Sequence, residues 1–296
     1  MAGSSMRDIK RRIRSVTSIE HITNAMKLVS AAKLRRAKTV FERIQEYLRF
    51  VTDKIDSICS RSADLPKHYI LGGREIKRTC YIVVTSNRGL AGSYNVNIIK
   101  AAEREIKEGI KLQKEAPMLV CVGNKGLGYF SKKGYEIFSS YLGAPDNITF
   151  TEAKEITRPV IDLYDEGKVD EIVIVYSTFK STMEQRAVVK RLLPFEPKPL
   201  EEQEEKKKKV PVIPEYEPSV EEVFNYLVPK YAEIMAYKAL IESSACEHAS
   251  RRMAMQNATD NAREMIENLS QGYNRARQAA ITREITEIVS GADAIK

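Results

Sequence analysis

Neither glycine nor proline occurs between Ser4 and Leu65, and between Pro229 and Gly291 the one interruption is Gly272. A chain free of these breakers can remain helical, and at about 1.5 Å per residue the first run alone would reach roughly 90 Å. Helices of that length need partners to bury their apolar faces. Other absences narrow the function. No apolar run approaches the roughly 20 residues that span a bilayer, and the N-terminus has neither a signal-peptide core nor a transit-peptide look, so membrane attachment is expected only through partners. Cys59, Cys80, Cys121 and Cys246 form no CxxC pair and have no metal-ligand spacing. Cys80 and Cys121 fall in apolar runs where buried free thiols are expected, which suits a reducing cytoplasm. Of the three histidines, His21 and His248 fall in the long helical stretches and His68 in a connector. Without paired carboxylates, a nucleophile elbow or metal spacing beside them, no catalytic site is expected.

What the sequence does contain is apolar periodicity. Ala37, Phe41, Ile44, Leu48, Val51, Ile55 and Ile58 step by four and three residues, the heptad seam of a left-handed supercoil. Upstream, Ile9, Ile13, Val16, Ile19, Ile22, Met26 and Val29 continue at helical spacing with one phase slip. In the last stretch Ile241, Ala245, His248, Arg252, Met255, Thr259, Ala262, Ile266, Leu269, Tyr273, Ala276 and Ala280 keep the same step. That seam is small and polar, so it suggests a shaft that meets something besides its partner helix. Both helices attach to one central block, from its two chain ends, so pairing side by side makes them antiparallel. The expectation is a globular foot carrying a two-helix rod.

The charge is concentrated. The chain has 48 Lys and Arg against 40 Asp and Glu. Ten of the basic residues lie between Arg7 and Lys38, opposed only by Asp8 and Glu20. Such a run implies an acidic partner, either nucleic acid or an acidic protein surface.

From about Thr79 the period changes. The runs at 79–86, 117–123, 135–141, 171–179 and 187–195 have strand length and β-branched or apolar character, and helical patterns fill 94–115, 124–133 and 151–167. Alternation of this kind predicts a mainly parallel sheet covered on both faces, a Rossmann-like α/β domain of about five strands. The fifth strand follows the fourth without a helix, which permits an antiparallel pair. Thr151 with Lys154 and Glu155 reads as a helix start, and Pro145, Asp146 and Asn147 as the loop before it. The glycine clusters SNRGLAGSYN (86–95) and GNKGLG (123–128) each follow a strand, but neither has a dinucleotide-fingerprint or P-loop spacing. Tight turns explain them, and no cofactor is expected. Residues 201–218 form a charged, Pro-rich connector whose run Glu201–Lys209 reads as a solvated loop. Ser219 and Glu222 make a capping box for the next helix, and Pro229 marks a kink or a restart within it. The organisation is thus residues 1–65 as the first rod helix, 66–200 as the α/β domain, 201–218 as connector and 219–296 as the second rod helix.

Three separated segments carry a resemblance. IRSVTSIEHITNAMKLVSAAKLRRA (13–37), SNRGLAGSYN (86–95) and ACEHASRRMAMQNATDNAREMIENLSQGYNRARQAAITREITEIVSGADAI (245–295) resemble, in order, parts of the γ subunit of F-type ATP synthases. The closing ITREITEIVSGADA is especially similar to that family's C-terminal signature, and PEYEPS resembles the segment at its foot. The resemblance implies a central rotor: an antiparallel coiled coil inside a ring of α and β subunits, with a foot on the membrane c-ring beside the ε subunit. Proton flow would turn ring and rotor, with ATP chemistry on β and none on this chain. It further implies that Met26, Lys27, Lys33, Arg35 and Arg36 meet acidic β loops, and that Arg251, Arg252, Gln278, Thr282 and Glu284 make polar contacts to β. Ala276, Ala279 and Ala280 would keep the tip thin within an apolar sleeve, and Tyr216 and Glu217 would touch the c-ring. The protein is then peripheral, at the cytoplasmic face of a bacterial membrane, with no nucleic-acid partner and no direct insertion. The inserted cysteine pair of chloroplast-type relatives has no counterpart here, so thiol control is not expected. Two other readings compete: a coiled-coil arm whose basic helix contacts phosphates, and an enzyme whose α/β block binds a nucleotide.

Overall fold

A computed structural model describes residues 6–62, 65–113, 115–143, 148–197 and 216–294, the last four as backbone only. The reading of 201–209 as a solvated loop and of 145–147 as a turn lies outside these residues. Helix α1 spans Met6–Cys59. The α/β block follows in the order β1 (Thr79–Val84), α2 (Tyr94–Leu112), β2 (Met118–Val122), α3 (Asn124–Phe130), β3 (Glu136–Tyr141), α4 (Phe150–Asp165), β4 (Glu171–Phe179) and β5 (Gln185–Leu193). Helix α5 closes the chain as one element, Val220–Ala294. The chain divides into two compact units, Met1–Ala31 with Arg251–Lys296, and Ala32–Ser250.

In the larger unit the sheet order is β3-β2-β1-β4-β5. The first four strands are parallel and β5 pairs antiparallel with β4, as the missing crossover helix allowed. Alternate residues of each strand feed two cores. Cys80, Ile82, Val84, Ile172 and Ile174 face α4, α5 and the end of α1, including Val51, Ile55 and Ile58. Tyr81, Val83, Leu119, Val173 and Val175 face α2 and α3 through Ile98, Ala102, Ile106 and Phe130. A sheet buried on both faces has little use for polar alternation, which is why β1, β2 and most of β4 read as continuous apolar runs.

The apolar seam of α1 continues into this unit. Leu34 and Ala37 pack with Ala245 and Ala249 of α5, and the Lys238 ammonium lies 5.6 Å from the centre of the Phe41 ring. Residue numbers rise on one helix as they fall on the other, so the pairing is antiparallel.

Two local expectations need correction, and a third is narrowed. Helix α4 begins earlier than Thr151: Thr149 is its N-cap, and a reciprocal capping box joins Thr149 N–H to Glu152 Oε2 at 2.7 Å and Glu152 N–H to Thr149 Oγ1 at 3.3 Å. A capping box needs Glu three residues on, which Thr149 has and Thr151 lacks. Of the two readings of Pro229, the restart is excluded, since it sits inside the continuous helix α5. It deprives the Asn225 carbonyl of a donor, a defect an exposed turn can repair with water. The α1 seam upstream of Ala37 also takes a different course, described below. Ser219, by contrast, caps α5 by accepting from Glu222 N–H at 3.1 Å.

The thiols are shielded. Cys80, Cys121 and Cys246 are buried and Cys59 is half-buried. Burial pushes Cys80 and Cys246 up to about 12 and Cys121 up to about 11. Cys59 is pushed up to about 11, first by burial and then by the Asp56 carboxylate. At pH 8 the thiolate fraction at Cys59 is then about one in a thousand, and the thiolate is the reactive form. The folded chain is expected to leave a disulfide reagent such as Ellman's nearly unconsumed at pH 8, while the denatured chain releases all four thiols. Rapid release from the folded chain would contradict this.

Candidate functional site: the paired helices and the closed crevice

The smaller unit holds the basic run. Working back from Ala37 by threes and fours, the inward positions of α1 are Leu34, Ser30, Lys27, Thr23, Glu20, Val16, Ile13 and Ile9, each buried or half-buried. The seam therefore runs without a phase slip. It passes through polar residues, leaving Ile19, Ile22 and Val29 outside, exposed by 49, 57 and 54 %. Apolar residues taken alone lead off the seam, to Ile19, Ile22 and Val29. The signal that corrects this is the unbroken heptad step extended backwards through Ser30 and Thr23.

Thr23 and Thr259 meet at the buried centre of this pair, Oγ1 to Oγ1 at 2.8 Å. Each hydroxyl also bonds a carbonyl of its own helix, Glu20 and Met255 respectively. One turn along, Arg263 Nε donates to Glu20 Oε1 at 3.0 Å. The pairing is antiparallel here too, since Thr259 opposes Thr23 and Arg263 opposes Glu20. On α5 the buried seam residue is Arg251, at 8 % exposure, not Arg252, which faces solvent. Burial there selects a three-residue step from His248 in place of the expected four.

The contact residues named from the resemblance divide accordingly. Met26, Lys27 and Lys33 are half-buried, and Arg35, Arg36, Arg252, Gln278, Thr282 and Glu284 are exposed. The Thr282 hydroxyl bonds the Gln278 carbonyl at 3.0 Å. Met26 lies on the outer apolar stripe with Ile19, Ile22 and Val29, and the cations Lys33, Arg35 and Arg36 follow on the next turns. A surface that joins exposed apolar side chains to cations fits a protein partner carrying both apolar and acidic groups. Tyr216 packs against the core of the larger unit while Glu217 stands in solvent.

In the larger unit, the place where a doubly wound sheet binds ligands is the crevice at the carboxyl ends of β1 and β4, where the strand order switches. Side chains of α5 occupy it. Ser243 Oγ lies 2.7 Å from the Tyr94 hydroxyl and accepts from Ser177 N–H at 3.3 Å, and Cys246 Sγ bonds the Ser177 carbonyl. Glu242 accepts from Thr178 Oγ1 at 2.5 Å and from Phe179 N–H at 3.0 Å. The glycines of the second cluster have structural work. Gly123 sits at φ +91°, where an added Cβ would lie 2.2 Å from the Thr85 carbonyl oxygen, and the Gly126 N–H donates to Thr85 Oγ1 at 2.8 Å. Among the described residues no group of His, Cys, Asp and Glu is placed to hold a metal ion, and no helix is long and apolar enough to cross a membrane.

Comparison with known proteins agrees with this architecture. The ATP synthase family profile matches residues 5–295. The chain is 46 % identical over 294 residues to the ATP synthase gamma chain of Alkaliphilus metalliredigens, covering 99 % of this chain and all of the relative. It is 40 % identical over 304 residues to the sodium ion specific ATP synthase gamma chain of Acetobacterium woodii, covering 98 % of this chain and 99 % of the relative. Among solved structures it is similar to a chain of the central stalk and c-ring of the Tetrahymena thermophila mitochondrial ATP synthase. The TM-score is 0.59 at 26 % identity, over 80 % of this chain and 99 % of that one. A chain of the Euglena gracilis mitochondrial enzyme shares the fold at TM-score 0.66 and 19 % identity, over 98 % and 94 % of the two chains. With a family match along nearly its whole length and relatives 40–46 % identical over nearly all of it, the chain belongs to the ATP synthase γ-chain family.

Proposed function

We propose that this chain is the central rotor stalk of a proton-translocating F-type ATP synthase. In this reading the rotation of the membrane c-ring turns the helix pair, and the angle of the pair sets the state of the catalytic β subunits. The observation that carries it is the outer stripe Ile19, Ile22, Met26 and Val29 beside a polar seam. The helix pair keeps hydroxyls at its own centre and turns apolar side chains outward, toward a surrounding ring. The exposed cations Arg35 and Arg36 supply contacts to acidic loops that form and release with little desolvation. Catalysis belongs to β, and the α/β block, its crevice filled by α5, acts as scaffold. Arg252, Gln278, Thr282 and Glu284 make further polar contacts to β, and Arg251, buried in the seam, positions its helix. Glu217 reaches the c-ring from a segment anchored by Tyr216, with the ε subunit beside it. The protein sits peripherally at the cytoplasmic face of a bacterial membrane.

Reconstitution with α and β subunits tests the reading. The complex should hydrolyse ATP while a marker on the α/β block turns in one direction; hydrolysis with full coupling and a static marker would overturn it. Pumping by the whole enzyme should be abolished by a protonophore and indifferent to sodium if the ion is the proton. Met26→Lys provides a sharper test of the stripe. Being half-buried at a surface position, the substitution should change the stability of the isolated chain by no more than about 1 kcal/mol. It should add an attraction to an acidic β loop and lower the number of protons pumped per ATP. An unchanged ratio would remove Met26 from the contact.

A further inference from the structure

Within the smaller unit, two stripes of α1 compete for the seam. The inward residues Glu20, Thr23, Lys27 and Ser30 are polar, and each follows by one position the outer residues Ile19, Ile22, Met26 and Val29. One position along a helix is a turn of about 100°, so rolling α1 by that angle about its own axis would exchange the two stripes. Burial of apolar area alone favours the exchange, because it would carry the apolar side chains into the pair and the polar ones out. The structure holds the polar face inward. Specific contacts must therefore oppose the roll.

Those contacts converge on one turn. Thr259, at 0 % exposure, donates its hydroxyl to Thr23 Oγ1 at 2.8 Å, and Thr23 donates to the Glu20 carbonyl at 3.1 Å. Arg263 of α5 grips the Glu20 side chain with two nitrogens, Nε and Nη2, each 3.0 Å from Oε1. The Glu20 side chain is 13 % exposed and that of Arg263 56 %, so the acid is sheltered although the base reaches solvent. The hydroxyl pair resists a roll only weakly, since Thr259 keeps the Met255 carbonyl at 2.7 Å as an acceptor when Thr23 is gone. Ser30 does not resist it, because its hydroxyl bonds the Met26 carbonyl of its own helix at 2.8 Å. Rolling α1 would instead pull Glu20 from Arg263 and break charge-assisted bonds, the stronger kind. That ion pair is the principal restraint.

We infer that Glu20 and Arg263, assisted by Thr23 and Thr259, are positioning residues that keep the apolar stripe of α1 facing outward against the burial that would turn it in. The inference deepens the rotor reading and rests on it for its purpose, because a stripe turned inward would be lost to the surrounding ring. It does not rest on that reading for its test, which uses the full chain alone.

Two added cysteines report the two faces, the native thiols being shielded. In the parent, Ile22→Cys should react quickly with Ellman's reagent and Ser30→Cys slowly, since Ile22 is 57 % exposed and Ser30 3 %. Arg263→Glu then sets two carboxylates against each other. The rates should cross, with Ile22→Cys slowing and Ser30→Cys quickening by about tenfold each while the circular dichroism stays that of the parent. Reversing both charges, Glu20→Arg with Arg263→Glu, should return both rates to their parent values. If both thiols quicken as helicity falls, the helices part instead of rolling and the inference fails. Rates that do not move in Arg263→Glu, or that the reversed pair does not restore, overturn it as well. A chain that does not assemble with α and β subunits would remove the rotor reading and leave these rates as expected, so the two failures are separable.

Discussion

Glu242→Ala is expected to lower the unfolding free energy of the isolated chain by about 3–5 kcal/mol, the cost of breaking one side of a buried ionic contact. Glu242 is 2 % exposed on α5 and reaches the carboxyl end of β4. Its Oε1 takes the Thr178 hydroxyl and the Phe179 N–H. The Lys238 ammonium, itself 15 % exposed, lies 3.1 Å from Oε2, close enough for ionic attraction but off the angle of a hydrogen bond. Alanine would strand a buried backbone donor and a largely buried cation together. Glu242→Gln keeps an acceptor for Phe179 and loses the ionic attraction, so its cost should be smaller, about 1–2 kcal/mol. Urea unfolding followed by circular dichroism distinguishes these cases. An alanine variant within about 1 kcal/mol of the parent would show that the carboxylate is not what ties α5 to the sheet.

The same contact explains how one fold family can hold nucleotides elsewhere and none in this reading. A ligand at the strand switch would have to displace Glu242, Ser243 and Cys246, whose partners are the ends of β4 and the Tyr94 hydroxyl. Packing the last helix into the crevice converts a binding fold into an anchor for a shaft. The glycines of the second cluster serve the turn itself, since a Cβ at Gly123 or Gly126 would lie within 3.0 Å of Thr85.

Much of this was legible in the chain itself. Strand and helix identities in the α/β block followed from the change of period near Thr79, and the antiparallel β5 from the missing crossover helix. The seam from Ala37 to Ile58 was legible because apolar residues occupy it without exception. It became illegible at Ser30, Thr23 and Glu20, where the inward residues are polar and the apolar ones face out, so hydropathy and geometry point in opposite directions. Local rules of propensity cannot resolve that conflict, since what fixes the inward face is continuity with the rest of the coil. The exchange of Arg252 for Arg251 has the same origin: one residue along a helix turns a side chain by about 100°, and charge alone gives no sign of which way it faces. Such disagreement between local pattern and global fold is where a functional surface is expected.

Truncating the chain before Thr282 is expected to separate folding from coupling. Every residue from Ile281 to Ser290 is exposed, and Ile285, Ile288 and Val289 present apolar side chains at 56, 71 and 54 % exposure. Their spacing along α5 keeps Ile281, Ile285 and Ile288 on one stripe, the pattern of a helix with an apolar partner. Nothing among the described residues covers that stripe, so removing residues 282–296 should change the stability of the isolated chain by about 1 kcal/mol or less. In the assembled enzyme the stripe would lie against an apolar collar, where burying each such side chain contributes about 1.5–3 kcal/mol. On the proposed reading, losing those contacts would remove the bearing at the end of the shaft while the basic run on α1 would still meet its loops. ATP hydrolysis should therefore survive, with torque and protons pumped per ATP falling several-fold. Single-molecule rotation under viscous load reads the torque, and urea unfolding of the isolated chain reads the fold. If the unfolding midpoint and the torque fall together, the tail is part of the folded core and the bearing assignment fails; if torque is untouched, the shaft is held by the α1 face alone.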